Sequence, residues 1–128
     1  MRRKGQRSGG NTVDRFWWYN FLNMIVEGIR EKVEANQFEF SKHALDQAIL
    51  RKIPIVEIRE AISTCELNED YPDDKYGQSC LILGSTSKQR PLHIQCSCPS
   101  RPVIKIITTY EPNRFEWIEY RTRRYEAE

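Results

Sequence analysis

The chain has 128 residues, of which 39% are hydrophobic and 30% are charged, and its formal net charge is +2. This length suits one domain with a buried core and is too short for two. No apolar run approaches the roughly 20 residues of a membrane-spanning helix, and the chain does not open on a hydrophobic segment with a cleavage site. We therefore expect a cytoplasmic protein with no membrane partner.

The basic charge is concentrated at the N-terminus. Residues 1–15 hold five basic and one acidic side chains, whereas residues 16–110 hold eleven basic and twelve acidic ones. A non-specific nucleic-acid binder usually presents a broad basic face. The near-neutral body argues against such a binder, so any RNA contact is expected to be local.

The chain begins with a predicted tail and a long helix. Residues 1–13 are rich in Arg, Gly and Ser, which predicts a disordered basic tail. A helix is predicted after Asp14, with an apolar stripe at three- and four-residue spacing: Leu22, Ile25, Ile29 and Val33. We also consider Met24 as an alternative translation start, because the stretch before it differs in composition from the rest.

Two short helices with a brief connection are predicted next. Ser41 is expected to cap the first, whose apolar positions have helical spacing: Ala44, Leu45, Ala48 and Ile49. Pro54 is expected to start the second, over residues 54–64. A DNA-reading helix-turn-helix has similar spacing, but Glu57 and Glu60 on the second helix argue against a DNA partner.

His43 lies on the first turn of the capped helix and is one of two histidines. Unpaired backbone N–H groups and the positive end of the helix dipole disfavour an imidazolium there. A neutral ring that accepts a proton near neutral pH suits a general base. The alternative is a surface histidine that merely follows a cap. His43 is the residue that we would mutate first.

The second half of the chain changes to an alternating pattern, which predicts strands over residues 66–71, 79–84, 92–98 and 103–110. Together with the helices, this predicts an α+β domain in which helices pack on one face of a roughly four-stranded antiparallel sheet. The domain is assigned to residues 14–120, and residues 121–128 are assigned to a flexible C-terminal tail.

The apolar positions of the last two strands determine which polar side chains share a face. If Leu92, Ile94 and Cys96 pair with Ile104 and Ile106 against the helices, the other face carries a mixed polar patch. The patch would contain His93, Gln95, Ser97, Lys105 and Thr109. It offers an acceptor, a donor, a cation and a titratable ring within cross-strand reach. The alternative is the solvated side of a two-layer domain.

The four cysteines favour no metal site. They are Cys65, Cys80, Cys96 and Cys98, and the only close pair is C-x-C. Structural zinc sites usually use two ligand pairs, each spaced by two to four residues. We predict reduced core thiols, no metal and no cofactor.

Aromatic residues alternate with charges between residues 114 and 125: Phe115, Trp117, Ile118, Tyr120 and Tyr125. Aromatic and arginine side chains are typical anchors of protein interfaces. The same pattern equally suits a last strand or helix that closes the core.

Several stretches, taken in order, resemble one family. They are FSKHA at 40–44, EDYP at 69–72, GQSCLILG at 77–84, RPLHI at 90–94 and IITTYEP at 106–112. They resemble the bacterial domain-of-unknown-function family 4258, in a cyanobacterial-like form, over about residues 25–120. The resemblance implies a toxin-like protein related to RelE-type messenger-RNA-cleaving toxins. Such toxins fold as a small antiparallel sheet with helices on one side and are frequently encoded beside small zinc-finger antitoxins.

The chain matches recurring positions of that family at six residues: His43, Arg51, Tyr71, His93, Thr109 and Tyr110. The resemblance leads us to expect a metal-independent endoribonuclease-type toxin of a toxin–antitoxin pair, with RNA and a small antitoxin protein as partners. The alternative is a non-catalytic interaction module, either a degenerate toxin or a partner-binding protein.

RNA cleavage of this kind needs a base, a cation and an acid. His43 or His93 is the predicted base, Lys105, Arg51 or Arg101 stabilises the phosphate, and Tyr71 or Tyr110 donates a proton or stacks on a base. The predicted catalytic set is thus His43, His93, Lys105 and Tyr110. The predicted RNA-binding set is Arg51, Tyr71 and Arg101.

Overall fold

The fold is a five-stranded sheet with three helices on one face and a small hairpin on the other, in a computed structural model that describes residues 12–74 and 77–124. The helices are α1 (Thr12–Glu34), α2 (Lys42–Leu50) and α3 (Ile55–Ser63). The sheet strands are β1 (Phe38–Phe40), β2 (Glu66–Tyr71), β3 (Ser79–Ser85), β4 (Pro91–Ser97) and β5 (Ile104–Tyr110). Strands β6 (Trp117–Ile118) and β7 (Thr122–Arg123) form the hairpin.

The predicted α+β class is confirmed, but the sheet is mixed rather than antiparallel. Its order is β1-β5-β4-β3-β2, and β1 pairs with β5 in parallel. The sequence predicted the four antiparallel strands and missed β1. A strand of three residues is too short to show an alternating pattern, and only its pairing with the distant β5 makes it a strand.

The helices cover what we call the helix face of the sheet, where the apolar core lies. The buried stripes of α1, α2 and α3 meet the apolar side chains of the sheet, among them Ile82, Leu92, Ile94 and Ile106. The predicted cap is confirmed, because the Ser41 hydroxyl oxygen accepts from the Ala44 N–H at 3.0 Å. Strand β3 approaches α3 closely at Gly84, where a methyl group would lie 1.9 Å from the Ala61 carbonyl oxygen.

A register shift in the β4–β5 pair corrects the predicted polar patch. Cys96 lies opposite Ile106, but Gln95 lies opposite Thr108, so β5 holds one extra residue at this point. Thr109 therefore lies opposite Ile94 and is fully buried. The prediction that Thr109 shares a face with His93 was wrong, because the bulge reverses the alternation that the sequence alone implies.

The hairpin covers the opposite face, which we call the hairpin face. Its Trp117 packs with Tyr71 and Leu81 in a second apolar cluster.

The described structure extends beyond the predicted domain end at residue 120, since β7 lies within the stretch that we assigned to a flexible tail. At the other end, α1 already begins at Thr12, inside the predicted tail. Residues 1–11 and 125–128 lie outside the described residues.

All four cysteines are buried with free thiols, as predicted. Cys80 on β3 lies directly opposite Cys96 on β4. Burial raises the pKa of the Cys65 thiol to about 11, and the pKa of the Cys80 thiol is also raised. Thiols with raised pKa values are poor nucleophiles, so these side chains act as small core residues.

Candidate functional site

The imidazole of His93 lies at the centre of the hairpin face, in the middle strand of the sheet. It is 0% exposed. The Trp117 ring stands edge-on to it at 4.4 Å between centroids, and the Tyr110 ring lies 5.2 Å away. Nδ1 lies 3.1 Å from the Tyr110 hydroxyl oxygen, and Nε2 lies 2.6 Å from the Tyr120 carbonyl oxygen. Both ring nitrogens are therefore occupied within the protein.

Burial controls the protonation of this pair. Desolvation lowers the pKa of the His93 imidazole below its ordinary 6.5, because the buried ring loses the water that would stabilise its charged form. It also raises the pKa of the Tyr110 hydroxyl to about 12. At neutral pH, His93 and Tyr110 are thus both uncharged.

Arg51 extends this arrangement to the protein surface. It is the C-cap of α2, where the negative end of the helix dipole favours a cation. Its Nη1 donates to the Thr109 carbonyl oxygen at 2.8 Å, and its guanidinium carbon lies 5.9 Å from the centroid of the Tyr110 ring. Among the described residues, no carboxylate forms an ion pair with Arg51, so its charge remains available to an anionic ligand.

An open cleft of about 560 Å³ lies beside these residues. Its lining consists of Arg51, Arg90, Tyr110, Glu111 and Glu116. Arg90 is already neutralised, because it pairs with Glu57 at 2.7 Å and with Glu111 at 2.9 Å. Of the two arginines among the described residues of the cleft, Arg51 is the one that has no carboxylate partner in that part of the chain.

An ion pair between the buried Glu69 and the half-buried Arg123 fastens the hairpin over His93. Arg123 donates through Nε and Nη2 to the two carboxylate oxygens of Glu69, at 3.0 and 3.1 Å. The Tyr71 hydroxyl donates to the same carboxylate at 2.5 Å, and the Arg123 guanidinium lies 4.7 Å from the Trp117 ring centroid. Burial and the neighbouring carboxylate raise the pKa of Tyr71. These contacts keep water away from His93.

The structure brings together three of the seven predicted site residues: His93, Tyr110 and Arg51. Tyr71 lies on the same face but is engaged with Glu69. Thr109, a recurring family position, joins the group through its backbone, which accepts from Arg51, and through its hydroxyl, which donates to the His93 carbonyl oxygen at 3.1 Å.

The other three predicted residues lie elsewhere. His43 is exposed at the start of α2, which packs on the helix face, whereas His93 lies on the hairpin face. Lys105 is hydrogen-bonded through its backbone N–H to Ser97, four residues from His93 on β4, or about 13 Å along the strand. Its ammonium group pairs with Glu39 at 3.6 Å. Arg101 lies in the loop between β4 and β5, close to Gly77.

Sequence reasoning did not assign a site role to Glu69, Glu116, Trp117 or Arg123. A signal existed for two of them, since Glu69 lies in the quoted EDYP stretch and Trp117 lies in the alternating aromatic segment. For Glu116 and Arg123 no local signal exists, because their positions depend on how the hairpin folds back over the sheet.

The described residues contain neither a metal-binding cluster nor a membrane-spanning helix. No group of three or more His, Cys, Asp or Glu side chains there has a geometry that suits a metal ion. None of the helices in that part of the chain is long and apolar enough to cross a membrane.

Residues 40–111 match the sequence model of one protein family. That family is described as Domain of unknown function (DUF4258). The chain belongs to the DUF4258 family. Comparisons with curated proteins and with solved structures gave no match. The DUF4258 match begins at the end of β1 and ends just after β5, so it includes Arg51, His93 and Tyr110. Helix α1 and the hairpin that covers His93 lie outside the matched part of this DUF4258 protein.

Proposed function

We propose that this DUF4258 protein is a metal-independent endoribonuclease that acts as the toxin of a toxin–antitoxin pair. The observation that carries the proposal is the Arg51 guanidinium, which has no carboxylate partner among the described residues and lies against Tyr110, whose hydroxyl contacts the buried His93. A cation and a tyrosine whose hydroxyl contacts a buried histidine thus share one cleft.

The proposed reaction is the attack of the RNA 2′-oxygen on the adjacent phosphorus. A bond forms between the 2′-oxygen and phosphorus, the bond to the 5′-oxygen breaks, and the 5′-oxygen takes a proton from water. Arg51 stabilises the charge on the phosphate oxygens, and Tyr110 with His93 accepts the proton of the 2′-hydroxyl. Lys105, Arg101 and His43 have no role in this version of the site, because they lie away from the cleft.

The proposed contact with RNA is local. The body of the chain is nearly neutral, and the carboxylates of Glu111 and Glu116 also line the cleft. A single uncompensated arginine holds one phosphate and gives weak binding with a shallow salt dependence. We therefore expect cleavage of accessible single-stranded positions rather than tight coating of the RNA.

The test is cleavage of a structured RNA by the purified chain in the presence of a metal chelator. Arg51→Gln should lower the rate at least about a hundredfold, the usual effect of losing one charge-stabilising donor. Arg59→Gln is the matched control, because Arg59 also donates to a backbone carbonyl and lies over an aromatic ring, Phe38, but is not among the residues that line the cleft.

A second control variant concerns His43, which the sequence favoured as a general base. His43→Ala should keep the full rate, since the exposed His43 lies on the helix side. Intact RNA at high protein excess, or equal losses in Arg51→Gln and Arg59→Gln, would contradict the proposal.

An apolar groove favours a second candidate function, a non-catalytic module that binds a small antitoxin-type protein. The groove lies between α2 and α3, has a volume of about 450 Å³ and is lined mainly by apolar side chains such as Leu45, Ile49, Ile53 and Ile55. Ile49 is 70% exposed. Exposed apolar clusters of this kind are typical of interaction surfaces. Intact RNA together with a neighbour-encoded partner that binds the wild type but not Ile49→Glu would favour this function.

A further inference from the structure

When the His93 ring is neutral, each of its two hydrogen bonds can have only one donor and one acceptor. The Tyr120 carbonyl oxygen can only accept, so the hydrogen of that 2.6 Å bond must be on Nε2. A neutral imidazole carries one N–H, so Nδ1 is then a bare acceptor. The bond of 3.1 Å between Nδ1 and Tyr110 must therefore use the hydroxyl hydrogen of Tyr110.

A doubly protonated ring would reverse this direction, but the surroundings of His93 favour the neutral ring in the protein without substrate. The ring is fully buried, and desolvation lowers its pKa. The charged groups that face it are Glu69 on β2 and Arg123 on β7, and these two neutralise each other in a bidentate pair. The remaining titratable neighbour, Tyr110, is neutral because its pKa is raised to about 12.

The direction of these bonds decides what Tyr110 offers to the cleft. Its single hydrogen is committed to His93, so a ligand that reaches the Tyr110 oxygen from the cleft meets only lone pairs. Arg51 in the same cleft is a pure donor with a positive charge. A ligand that satisfies both residues must carry an anionic group for Arg51 and, close to it, a hydroxyl group that donates to Tyr110.

We propose that the Tyr110 oxygen is the acceptor that selects a ribose hydroxyl next to a phosphate, and that His93 is the positioning residue that imposes this polarity. The inference rests on the proposed function and names what the site recognises in its substrate. It predicts that the Tyr110 oxygen discriminates between RNA and DNA. A deoxyribose has no 2′-hydroxyl to donate to this oxygen, and in a 2′-O-methyl ribose a methyl group replaces the hydrogen that would be donated.

The same polarity sets the path of the proton during cleavage. As the 2′-oxygen bonds to phosphorus, its proton moves to the Tyr110 oxygen, and the original Tyr110 proton moves to Nδ1 of His93. The imidazolium formed keeps its Nε2–H bond to the Tyr120 carbonyl. The leaving 5′-oxygen takes a proton from water, and the imidazolium returns its proton through Tyr110 to the hydroxide that remains.

Binding of three small probes tests the selection without any cleavable bond. The probes are adenosine 3′-monophosphate, its 2′-deoxy analogue and its 2′-O-methyl analogue. The ribonucleotide should bind about fivefold to tenfold more tightly than the other two, as expected for one added hydrogen bond. Tyr110→Phe should remove this difference while leaving Arg51-dependent phosphate binding in place. Equal affinities of the three probes for the wild type would overturn the inference.

The outcomes separate this inference from the proposed function. RNA cleavage without discrimination among the probes would overturn the inference and leave the endoribonuclease proposal standing. Discrimination without cleavage would support the hydroxyl-selecting site and contradict the endoribonuclease.

A spectroscopic measurement on the wild type tests the role of His93 without a variant. Long-range ¹⁵N–¹H correlation spectra at pH 7.5 should show a protonated Nε2 and an unprotonated Nδ1 in the buried ring. The exposed His43 provides an internal comparison in the same sample. A His93 ring with its hydrogen on Nδ1 would overturn the inference, because Tyr110 would then accept from His93 and keep its own hydrogen for the cleft.

Discussion

Different interactions hold the covering elements on the two faces of the sheet. On the helix face, side chains such as Ile82, Ile94 and Ile106 pack against three helices in an apolar core. On the hairpin face, His93 and Glu69 are buried beneath two short strands and are satisfied by specific hydrogen bonds and one ion pair. The helix face depends on shape and volume, whereas the hairpin face depends on matched polar partners. The candidate site is at the border between the two, where Arg51 reaches from α2 to Tyr110.

The largest expected effect is on the helix face. Gly84→Ala would place a methyl group 1.9 Å from the Ala61 carbonyl oxygen and 2.6 Å from its carbon, so β3 and α3 would have to separate. We expect a loss of about 3 kcal/mol or more in the free energy of unfolding, measured by urea denaturation. Backbone cannot rotate away from the added group as a side chain can.

Gly28→Ala is the matched control for that substitution. The added methyl group would lie 2.8 Å from side-chain atoms of Pro99, and alanine gains up to about 1 kcal/mol of helix propensity over glycine in α1. A loss in Gly28→Ala that equals the loss in Gly84→Ala would mean that the α3–β3 contact is not the tightest point of the helix face.

A smaller loss in the free energy of unfolding is expected when the Glu69–Arg123 ion pair of the hairpin face is broken. Glu69→Gln removes the charge that pairs with Arg123, and the side chain of Glu69 is only 1% exposed. Breaking a fully buried pair costs about 3–5 kcal/mol, but Arg123 is 36% exposed and can turn to solvent, so we expect about 1–3 kcal/mol. Fluorescence of Trp117 should also report the loosened hairpin.

The surface pair Lys42–Asp46 provides the comparison. Its side chains are 88% and 56% exposed, and Asp46→Asn should change the free energy of unfolding by no more than about 0.5 kcal/mol. If Glu69→Gln is as mild as Asp46→Asn, the ion pair does not hold the hairpin in place and the two faces differ less than the contacts suggest.

The smallest effect is a pH dependence that arises from His93. Its folded-state pKa lies below the ordinary 6.5, chiefly through burial, with Glu69 and Arg123 acting in opposite directions. Below pH 6.5 the unfolded chain binds a proton that the folded chain does not, so stability is full above pH 6.5 and falls as the pH decreases towards the folded pKa. The loss approaches about 1.4 kcal/mol for each unit by which the pKa is lowered.

Urea denaturation between pH 7.5 and 6.0 measures this dependence while carboxylates of ordinary pKa remain ionised. His93→Asn, where it folds, should flatten the profile, and His43→Asn should leave the part that depends on His93 unchanged. A wild-type stability that rises as the pH falls over this range would mean that His93 is stabilised in its charged form.

Most of the main fold could be predicted because its signals are local. The Ser41 cap, the helical spacing of Ala44 and Ala48, and the alternation of Leu92, Ile94 and Cys96 all act within a few residues. These signals correctly gave α2, α3 and the four antiparallel strands to within about two residues. β1 was missed because its three residues become a strand only through pairing with β5.

The candidate site was only partly predictable, and the reason is one inserted residue. Alternation along β5 placed Thr109 beside His93, whereas the bulge near Ile107 turns Thr109 towards the core and brings Tyr110 opposite His93. A bulge follows from how two strands fit each other, so it leaves no mark in either strand alone. His43 was favoured on its local position, but it is exposed on α2, and the ring nitrogens of His93 contact Tyr110 and Tyr120 instead.

The sequence by itself determined the α+β class, the capped helix and the reduced core thiols, because short-range periodicity and residue chemistry carry that information. It also made His93, Tyr110 and Arg51 candidates, because these residues match recurring positions of the family that the chain resembles. The tertiary structure decided that these three residues meet, that His43 and Lys105 lie elsewhere, and that the hairpin seals His93. Those outcomes depend on register, on a bulge and on contacts between residues far apart in the chain, such as Arg123 with Glu69.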